Sequence, residues 1–220
     1  MGNYYIDIVG VIILKNKFNN KEFLVVVLFT VILIITSIYD CFMNSGEKIF
    51  RIALTFITVL LVYWLYIKSF LKGIKSIYYI NIFFIFISMY LASVWNFYGI
   101  PNYDKFLHLL SGAVIAIIGY ILFIYLTSQK SRSDMKPITS LIFVILFATA
   151  AAGVWEIWEF TTDSLFGLTA QNNSLRDTML DIVCGTLVGI ITAIPIYINS
   201  RFNKIKIINT IVKEIESNRK

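Results

Sequence analysis

Charged residues are scarce in this sequence of 220 residues. Asp, Glu, Lys and Arg make up 15% of the chain, hydrophobic residues make up 58%, and the mean hydropathy is +0.78. Globular domains carry about 25% charged residues, so an ordinary soluble fold is excluded. The net charge of +6 does not indicate nucleic-acid binding, because the basic residues lie in short groups between apolar runs.

Cysteine and histidine are almost absent. The two cysteines, Cys41 and Cys184, fit neither a metal-ligand spacing nor a disulfide framework, and we expect both to be packing residues. His108 is the only histidine, which excludes a zinc site with three histidine ligands. The stretch HLLSG also lacks the Gly-x-Ser-Gly nucleophile pattern of rhomboid proteases. Neither of these known signatures of an intramembrane hydrolase is therefore present.

Long apolar runs fill most of the chain. A membrane-spanning helix needs about 20 mostly apolar residues. Six stretches qualify: Phe23–Tyr39, Ile49–Ile67, Ile74–Tyr98, Phe106–Thr127, Ile138–Phe160 and Met179–Ile198. The runs do not alternate as the strands of a membrane barrel do, so we predict an all-α, polytopic transmembrane helical bundle.

The basic residues predict the orientation of this bundle. With the N-terminus inside, 15 of the 19 lysines and arginines lie in inner segments, so we expect both termini in the cytoplasm. The bias towards Ile, Lys, Asn, Phe and Tyr is typical of a low-GC bacterium, and we expect a bacterial plasma membrane. We interpret 1–220 as a single membrane domain. It comprises an interfacial N-terminal segment (1–22), three spans (23–103), a three-span half with a polar site (104–198) and a basic cytoplasmic tail (199–220).

The tail carries an amphipathic pattern. Its apolar residues recur at helical intervals among lysines, at Ile205, Ile208, Ile211, Val212 and Ile215. Such a segment either lies on an anionic inner leaflet or is a solvated tail that fixes the topology. The sequence leaves both interpretations open.

Each of the last three predicted spans carries a pair of ionisable side chains at its outer end. The pairs are Asp104 and His108 in the fourth span, Glu156 and Glu159 in the fifth, and Asp177 and Asp181 in the sixth. Residues three or four apart share one face of a helix, so each pair points in one direction. Because ionisable groups within a membrane are costly, we expect the pairs to face one another in a shared polar site.

The chemistry of this site favours a bound cation. Clustered carboxylates repel one another, and a cation or a cationic substrate relieves the repulsion. Oxygen-rich sites suit Mg²⁺, Ca²⁺ or Mn²⁺, and a single imidazole also permits Zn²⁺ or Fe²⁺. We therefore predict that the six side chains are ligands of a divalent cation. His108, Glu156 and Asp181 are the candidate catalytic residues.

Several of these residues also have a purely structural interpretation. Asp104 and Asp177 stand where helix N-caps are common. Asp163 and Arg176 lie at the predicted boundary, where they can reach interfacial water. A lone histidine such as His108 is more often a hydrogen-bonded core residue. These alternatives compete with a joint site.

Small residues below the acidic pairs predict close helix packing. Gly185 and Gly189 continue the stripe of Asp177 and Asp181 at four-residue steps, forming a GxxxG pattern. Ser111 and Gly112 in the fourth span, and Gly153 in the fifth, are expected to do the same.

The motifs DKFLH, WEIWE and RDTMLDIVCGTLVG together resemble the VanZ-like proteins and the YjdF-like inner-membrane proteins. The resemblance covers Asp104 to Gly189. The Glu-x-x-Glu spacing is closer to the YjdF-like pattern, and Gly185 stands where VanZ-like proteins tend to have asparagine, which weakens any transfer of VanZ-associated glycopeptide resistance. The resemblance implies a membrane architecture and no established reaction.

Three kinds of function fit these observations. The first is an enzyme or binding protein that acts on a lipid or lipid-linked envelope precursor at the outer leaflet, with His108 as ligand or general base. The second is a non-catalytic scaffold whose acids meet a partner's basic residues. The third is a proton- or cation-coupled small transporter, which the apolar inner halves of the last three spans disfavour. We favour the first, with membrane lipids as partners.

Overall fold

The computed structural model describes residues 21–167 and 170–217, except for the Phe166 side chain, and within this part of the chain it contains helices and no strand. The helices are α1 (Lys21–Met43), α2 (Ile49–Lys68), α3 (Lys75–Ile85), α4 (Tyr103–Leu126), α5 (Gln129–Asp134), α6 (Ile138–Phe166), α7 (Leu175–Phe202) and α8 (Lys206–Ser217). Residues 1–20 lie outside the described residues, and with them nearly all of the predicted interfacial segment.

Six helical segments are long and apolar enough to cross a membrane: α1, α2, α3 with its continuation to Val94, α4, α6 and α7. They match the six predicted spans, so the polytopic all-α bundle is confirmed. Their outward faces are apolar: Val154, Ile157 and Phe160 of α6 are each more than 60% exposed. A soluble monomer does not expose apolar surface in this way, whereas lipid covers it.

The third span differs most from its prediction as one continuous helix, Ile74–Tyr98. The chain changes at Phe86 to a π-helix that ends at Val94, and a 3₁₀ turn follows at Phe97–Gly99. The π-helix replaces the i→i+4 hydrogen bonds of an α-helix with i→i+5 bonds. Side chains from neighbouring helices donate hydrogen bonds to two carbonyl oxygens of this segment. Tyr103 Oη donates to the Ile87 oxygen over 2.9 Å, and Arg51 Nη1 donates to the Ser93 oxygen over 2.9 Å.

Two apolar clusters organise the bundle. One joins α1, α2 and α3 around Val59 and Tyr78, and the other joins α4, α6, α7 and α8 around Ile121 and Val144. Ile77, the neighbour of Tyr78 in α3, belongs to the second cluster. Because adjacent helical residues point about 100° apart, α3 contacts both clusters at once.

Small residues set the spacing of α4, α6 and α7. A Cβ on Gly112 would lie 2.3 Å from the Gly185 carbonyl oxygen, and a Cβ on Gly189 would lie 2.6 Å from the Ala148 Cβ. The predicted close packing is confirmed at these glycines. It is wrong for Gly153, because a Cβ there would meet no described heavy atom within 4 Å.

The tail forms α8, and its apolar face packs against protein. Ile208, Ile211 and Ile215 are buried in the same cluster as Ile121 of α4. A helix that uses this face inside the bundle cannot also lay it on a leaflet, and it is not a solvated tail. Both expectations for this segment are therefore corrected.

Candidate functional site

The three predicted pairs meet at one end of the bundle, where α4 and α7 begin and the last turns of α6 lie. Four-residue spacing in α4 and α7 and three-residue spacing in α6 turn each pair towards its neighbours. Glu156 and Asp181 are buried, and the other four side chains are partly buried. The six side chains do not form one shell, however, because they divide into two groups with different chemistry.

The first group is centred on Lys105, which the sequence analysis did not single out. Its Nζ donates to Asp177 Oδ1 over 2.6 Å and to Asp181 Oδ2 over 2.8 Å, and it lies 3.4 Å from Asp104 Oδ2. Asp181 is only 2% exposed. A buried carboxylate needs a partner with good geometry, and the Lys105 ammonium supplies it.

Arg176 does not take the role of nearby countercharge. It is exposed and forms no ion pair or hydrogen bond with the residues that the structure describes. The positive charge among the aspartates comes from α4 instead.

The second group consists of His108, Glu156 and Glu159. Each offers one ligand atom, and these three atoms lie within 4.8 Å of one another. His108 also links the two groups, since its Nε2 lies 3.6 Å from Asp104 Oδ1 and 3.7 Å from Asp181 Oδ1. These distances are too long for hydrogen bonds, but a protonated imidazole forms ion pairs with both aspartates at these distances, so His108 contacts both groups.

Neutral donors hold the two glutamates in place. Gln171 Nε2, from the loop after α6, donates to Glu156 Oε2 over 3.2 Å and to the Glu156 carbonyl over 3.1 Å. Trp155 Nε1 donates to Glu159 Oε1 over 2.7 Å. Glu156 Oε1 is buried and has no hydrogen-bond partner among the described residues. Asp181 Oδ1 also lacks a hydrogen-bond partner there, but it lies 2.7 Å from the Lys105 ammonium, whereas Glu156 Oε1 has no ion pair among the described residues.

Polar contacts hold the described part of the loop before α7, from Ala170 onwards. Asp163 accepts hydrogen bonds from the backbone amides of Ala170 (2.9 Å) and Gln171 (3.0 Å), so its carboxylate shapes the loop. Gln171 was not predicted from the sequence, because a loop residue has no periodicity that would assign it to the site. Asp163 therefore positions Gln171, and Gln171 positions Glu156.

The N-cap interpretation of the two aspartates is wrong. The N-cap position of α7 is Ser174, whose Oγ accepts the Asp177 amide over 3.3 Å. The N-cap position of α4 is Asn102, which leaves Asp104 in the first turn. Both aspartates are free to use their side chains in the Lys105 group. Their position near the positive ends of α4 and α7 also favours negative charge.

The two groups differ in the cation that they can hold. In the first, an ammonium already occupies the space between the carboxylates. In the second, one imidazole and two carboxylates face each other with neutral donors only, a donor set suited to Zn²⁺, Mn²⁺ or Fe²⁺.

Comparisons with known proteins place the chain among membrane proteins of unknown role. A curated protein of Thermotoga maritima, described as an uncharacterized protein, is 30% identical over 100 residues, which is 45% of this chain and 50% of the relative. The chain thus spans about half the length of that relative. No solved structure matches the chain. A family model described as "Predicted membrane protein (DUF2238)" matches residues 21–201, and the chain belongs to that family.

Proposed function

We propose that the protein binds a divalent cation through His108, Glu156 and Glu159 and uses it to hold a lipid or lipid-linked envelope substrate. The observation that carries this proposal is the buried Oε1 of Glu156, which lacks a hydrogen-bond partner in the described part of the chain. Burying such an oxygen costs free energy unless something binds it. A cation between the three side chains satisfies it.

The spacing of the three donors fits a cation after a small contraction. Zn–N and Zn–O bonds are about 2.0 to 2.2 Å long, so donor atoms on one tetrahedral ion lie about 3.3 to 3.6 Å apart. The donor atoms of His108, Glu156 and Glu159 are within 4.8 Å of one another. Rotations of the glutamate side chains that move their oxygens by about 1 Å close the site.

We further propose that this end of the bundle faces the extracytoplasmic side of a bacterial plasma membrane. Of the 15 lysines and arginines that the structure describes, 11 belong to the segments at the opposite end, which favours the cytoplasm for that end. Trp155 and Trp158 flank the glutamates on α6 and are both more than half exposed. Tryptophan is enriched at membrane interfaces, so this position supports a site level with lipid head groups, within reach of a phosphate.

The finer family resemblance, to VanZ-like and YjdF-like proteins, stays a prediction. It supplies no reaction, so the proposal is limited to binding. The catalytic roles predicted for His108, Glu156 and Asp181 stay predictions as well. Asp181 is the least suited of the three to a cation because Lys105 already binds it.

A scaffold function competes with this proposal, because the Lys105 group is a structural contact between α4 and α7. The transporter alternative is disfavoured by the packing below the site. Gly112 and Gly185 bring the backbones of α4 and α7 into direct contact there, which leaves no room for a polar path along that seam.

Titration of the purified protein with Mn²⁺, followed by electron paramagnetic resonance, tests the cation site. We expect one bound Mn²⁺ per chain, and a loss of affinity of at least tenfold in Glu156→Gln. The matched control is Glu47→Gln, which removes an exposed carboxylate from the connection between α1 and α2 and leaves affinity within twofold. Absence of saturable binding, or an equal loss in both variants, refutes the cation site and favours the scaffold.

A second measurement tests the lipid. In vesicles that contain an anionic phospholipid, the lipid head group should bind the site only when Mn²⁺ is present. The width of the bound-Mn²⁺ signal should therefore differ from that of the protein in phosphatidylcholine vesicles. An unchanged signal in Mn²⁺-loaded protein refutes head-group binding while leaving the cation site intact.

A further inference from the structure

A second polar site lies at the opposite end of the same helices. A cavity of about 570 Å³ opens where α4 and α7 end and α6 begins, and α5 and α8 complete its walls. Ligand sites commonly measure about 300 to 1,000 Å³, so the cavity is large enough for a small molecule or a lipid head group. None of the six predicted site residues lines it.

The lining of this cavity is positively charged. Three basic side chains, Arg132, Lys136 and Lys213, line it together with one carboxylate, Glu216. Arg132 Nη2 donates to Glu216 Oε1, which neutralises that carboxylate. The two lysines form no ion pair with any residue in 21–167 or 170–217. A charge of about +2 is therefore left for a ligand.

Arg132 is held in a fixed position and still has donors to offer. Its Nη1 donates to the carbonyl oxygens of Ile124 (3.1 Å) and Thr127 (2.8 Å), at the end of α4. Together with the Glu216 contact, these bonds use three of the five N–H groups of a guanidinium. Two N–H groups remain, one on Nε and one on Nη2, and both can donate to phosphate oxygens.

Both polar and apolar side chains line the cavity. Asn199 and Ser140 are buried at 5% and 4% exposure, and Asn199 Nδ2 donates to Asn209 Oδ1 over 2.8 Å, which holds the Asn199 amide in place. Phe123 and Val212 contribute apolar surface. An amphiphilic ligand fits such a cavity better than a bare ion does.

We propose that this cavity binds a phosphate monoester carried on an apolar or glycerol-like body. A phosphate monoester carries about −1.5 to −2 charges at pH 7, which matches the residual charge of the lining. Arg132 binds the phosphate through its two remaining N–H groups, and Lys136 and Lys213 supply the balancing charge. The ligand is either a lipid of the phosphatidic acid type or a soluble phosphorylated molecule. The site is independent of the cation site at the other end.

Calorimetric titration of the full chain in a neutral detergent tests the proposal with three probes. Dihexanoyl phosphatidic acid represents the lipid source, sn-glycerol 3-phosphate represents the soluble source, and dihexanoyl phosphatidylcholine controls for partition into the micelle. We expect saturable binding of at least one phosphate monoester. Binding of the first alone assigns a lipid, binding of the second alone assigns a soluble molecule, and binding of both assigns the phosphate as the recognised group.

Two double variants with the same loss of charge separate the cavity from general surface charge. Lys136→Gln with Lys213→Gln is expected to weaken binding of the monoester at least tenfold. Lys130→Gln with Lys206→Gln removes two exposed lysines that do not line the cavity and should leave affinity within twofold. Equal losses in both double variants, equal binding of phosphatidylcholine, or no saturable binding overturns the proposal.

Discussion

Substitution of Gly112 by alanine tests whether the contact between α4 and α7 sets the geometry of the polar end. The added Cβ would lie 2.3 Å from the Gly185 carbonyl oxygen and 3.0 Å from its Cα. Ordinary contacts begin at 3.4 Å, so the two helices must separate by about 1 Å. Both neighbours are backbone atoms, which cannot rotate away, and overpacking of this kind costs about 1 to 3 kcal/mol.

The same separation acts on the Lys105 group. Its two shortest contacts, 2.6 Å to Asp177 Oδ1 and 2.7 Å to Asp181 Oδ1, lengthen beyond hydrogen-bonding distance if α7 moves away by that amount. We therefore expect loss of stability from packing and from the ion pairs together. In a chain of this size, about 1 kcal/mol corresponds to about 2 to 4 °C, so the packing loss alone should lower the apparent unfolding temperature by about 2 to 12 °C, and the weakened ion pairs add to this fall.

Thermal unfolding in detergent, followed by intrinsic fluorescence, measures this change. Gly153→Ala is the matched control, because its Cβ meets no described atom within 4 Å and alanine favours a helix interior over glycine by about 1 kcal/mol. The control should keep or raise the unfolding temperature. If Gly112→Ala unfolds no earlier than Gly153→Ala, the close contact between α4 and α7 does not exist in the protein.

Three further predictions concern the Lys105 group, the tail and the orientation. Lys105→Gln leaves the facing carboxylates without their cation and should cost about 3 kcal/mol of unfolding free energy, measured by denaturant titration; an unchanged midpoint would contradict the ion-pair geometry. Ile211→Ala removes a side chain that is 4% exposed and should cost about 2 to 5 kcal/mol, whereas Ile207→Ala, at 74% exposure, should change stability by about 0.5 kcal/mol or less. In a background without native cysteines, Asn173→Cys should react with a membrane-impermeant maleimide on intact cells and Lys204→Cys should not; the reverse labelling would overturn the proposed orientation.

The membrane spans could be predicted from the sequence because their signal is local. Length and hydropathy alone located all six segments. The ends were less predictable: α6 runs to Phe166, six residues beyond its expected end, because polar residues such as Thr161 and Asp163 continue a helix outside the apolar run. The π-helix at Phe86–Val94 was not predicted, since an apolar run carries no signal that distinguishes π from α winding.

The sequence predicted which ionisable residues meet at one end of the bundle, but it did not predict how they pair. Periodicity placed Asp104 and His108 on one face of α4, and Lys105 lies about 100° around the helix from Asp104. A search for shared faces therefore missed it, although it lies in the first turn of α4, beside Asp104. Tertiary packing decides which helix faces the side of α4 that carries Lys105, and the structure shows that it is α7.

Asp181 and Gly185, which lie on the same face of α7, link the buried ion pair to the close packing of α4 and α7. Asp181 and Gly185 stand one turn apart, so the helix that supplies a buried carboxylate also supplies the small residue below it. Lys105 reaches that carboxylate because Gly112 of α4 lets the backbones touch at Gly185.

The α6 side has no equivalent of this arrangement. Glu156 and Glu159 receive hydrogen bonds from the neutral donors Gln171 and Trp155, among the residues that the structure describes. A buried carboxylate with neutral donors alone is less stabilised than one that is ion-paired. The two aspartates of α7 are therefore ion-paired with Lys105 within the protein. The charge on the α6 side is the one that an added cation would stabilise, which is why we assign the proposed cation to His108, Glu156 and Glu159 rather than to all six predicted ligands.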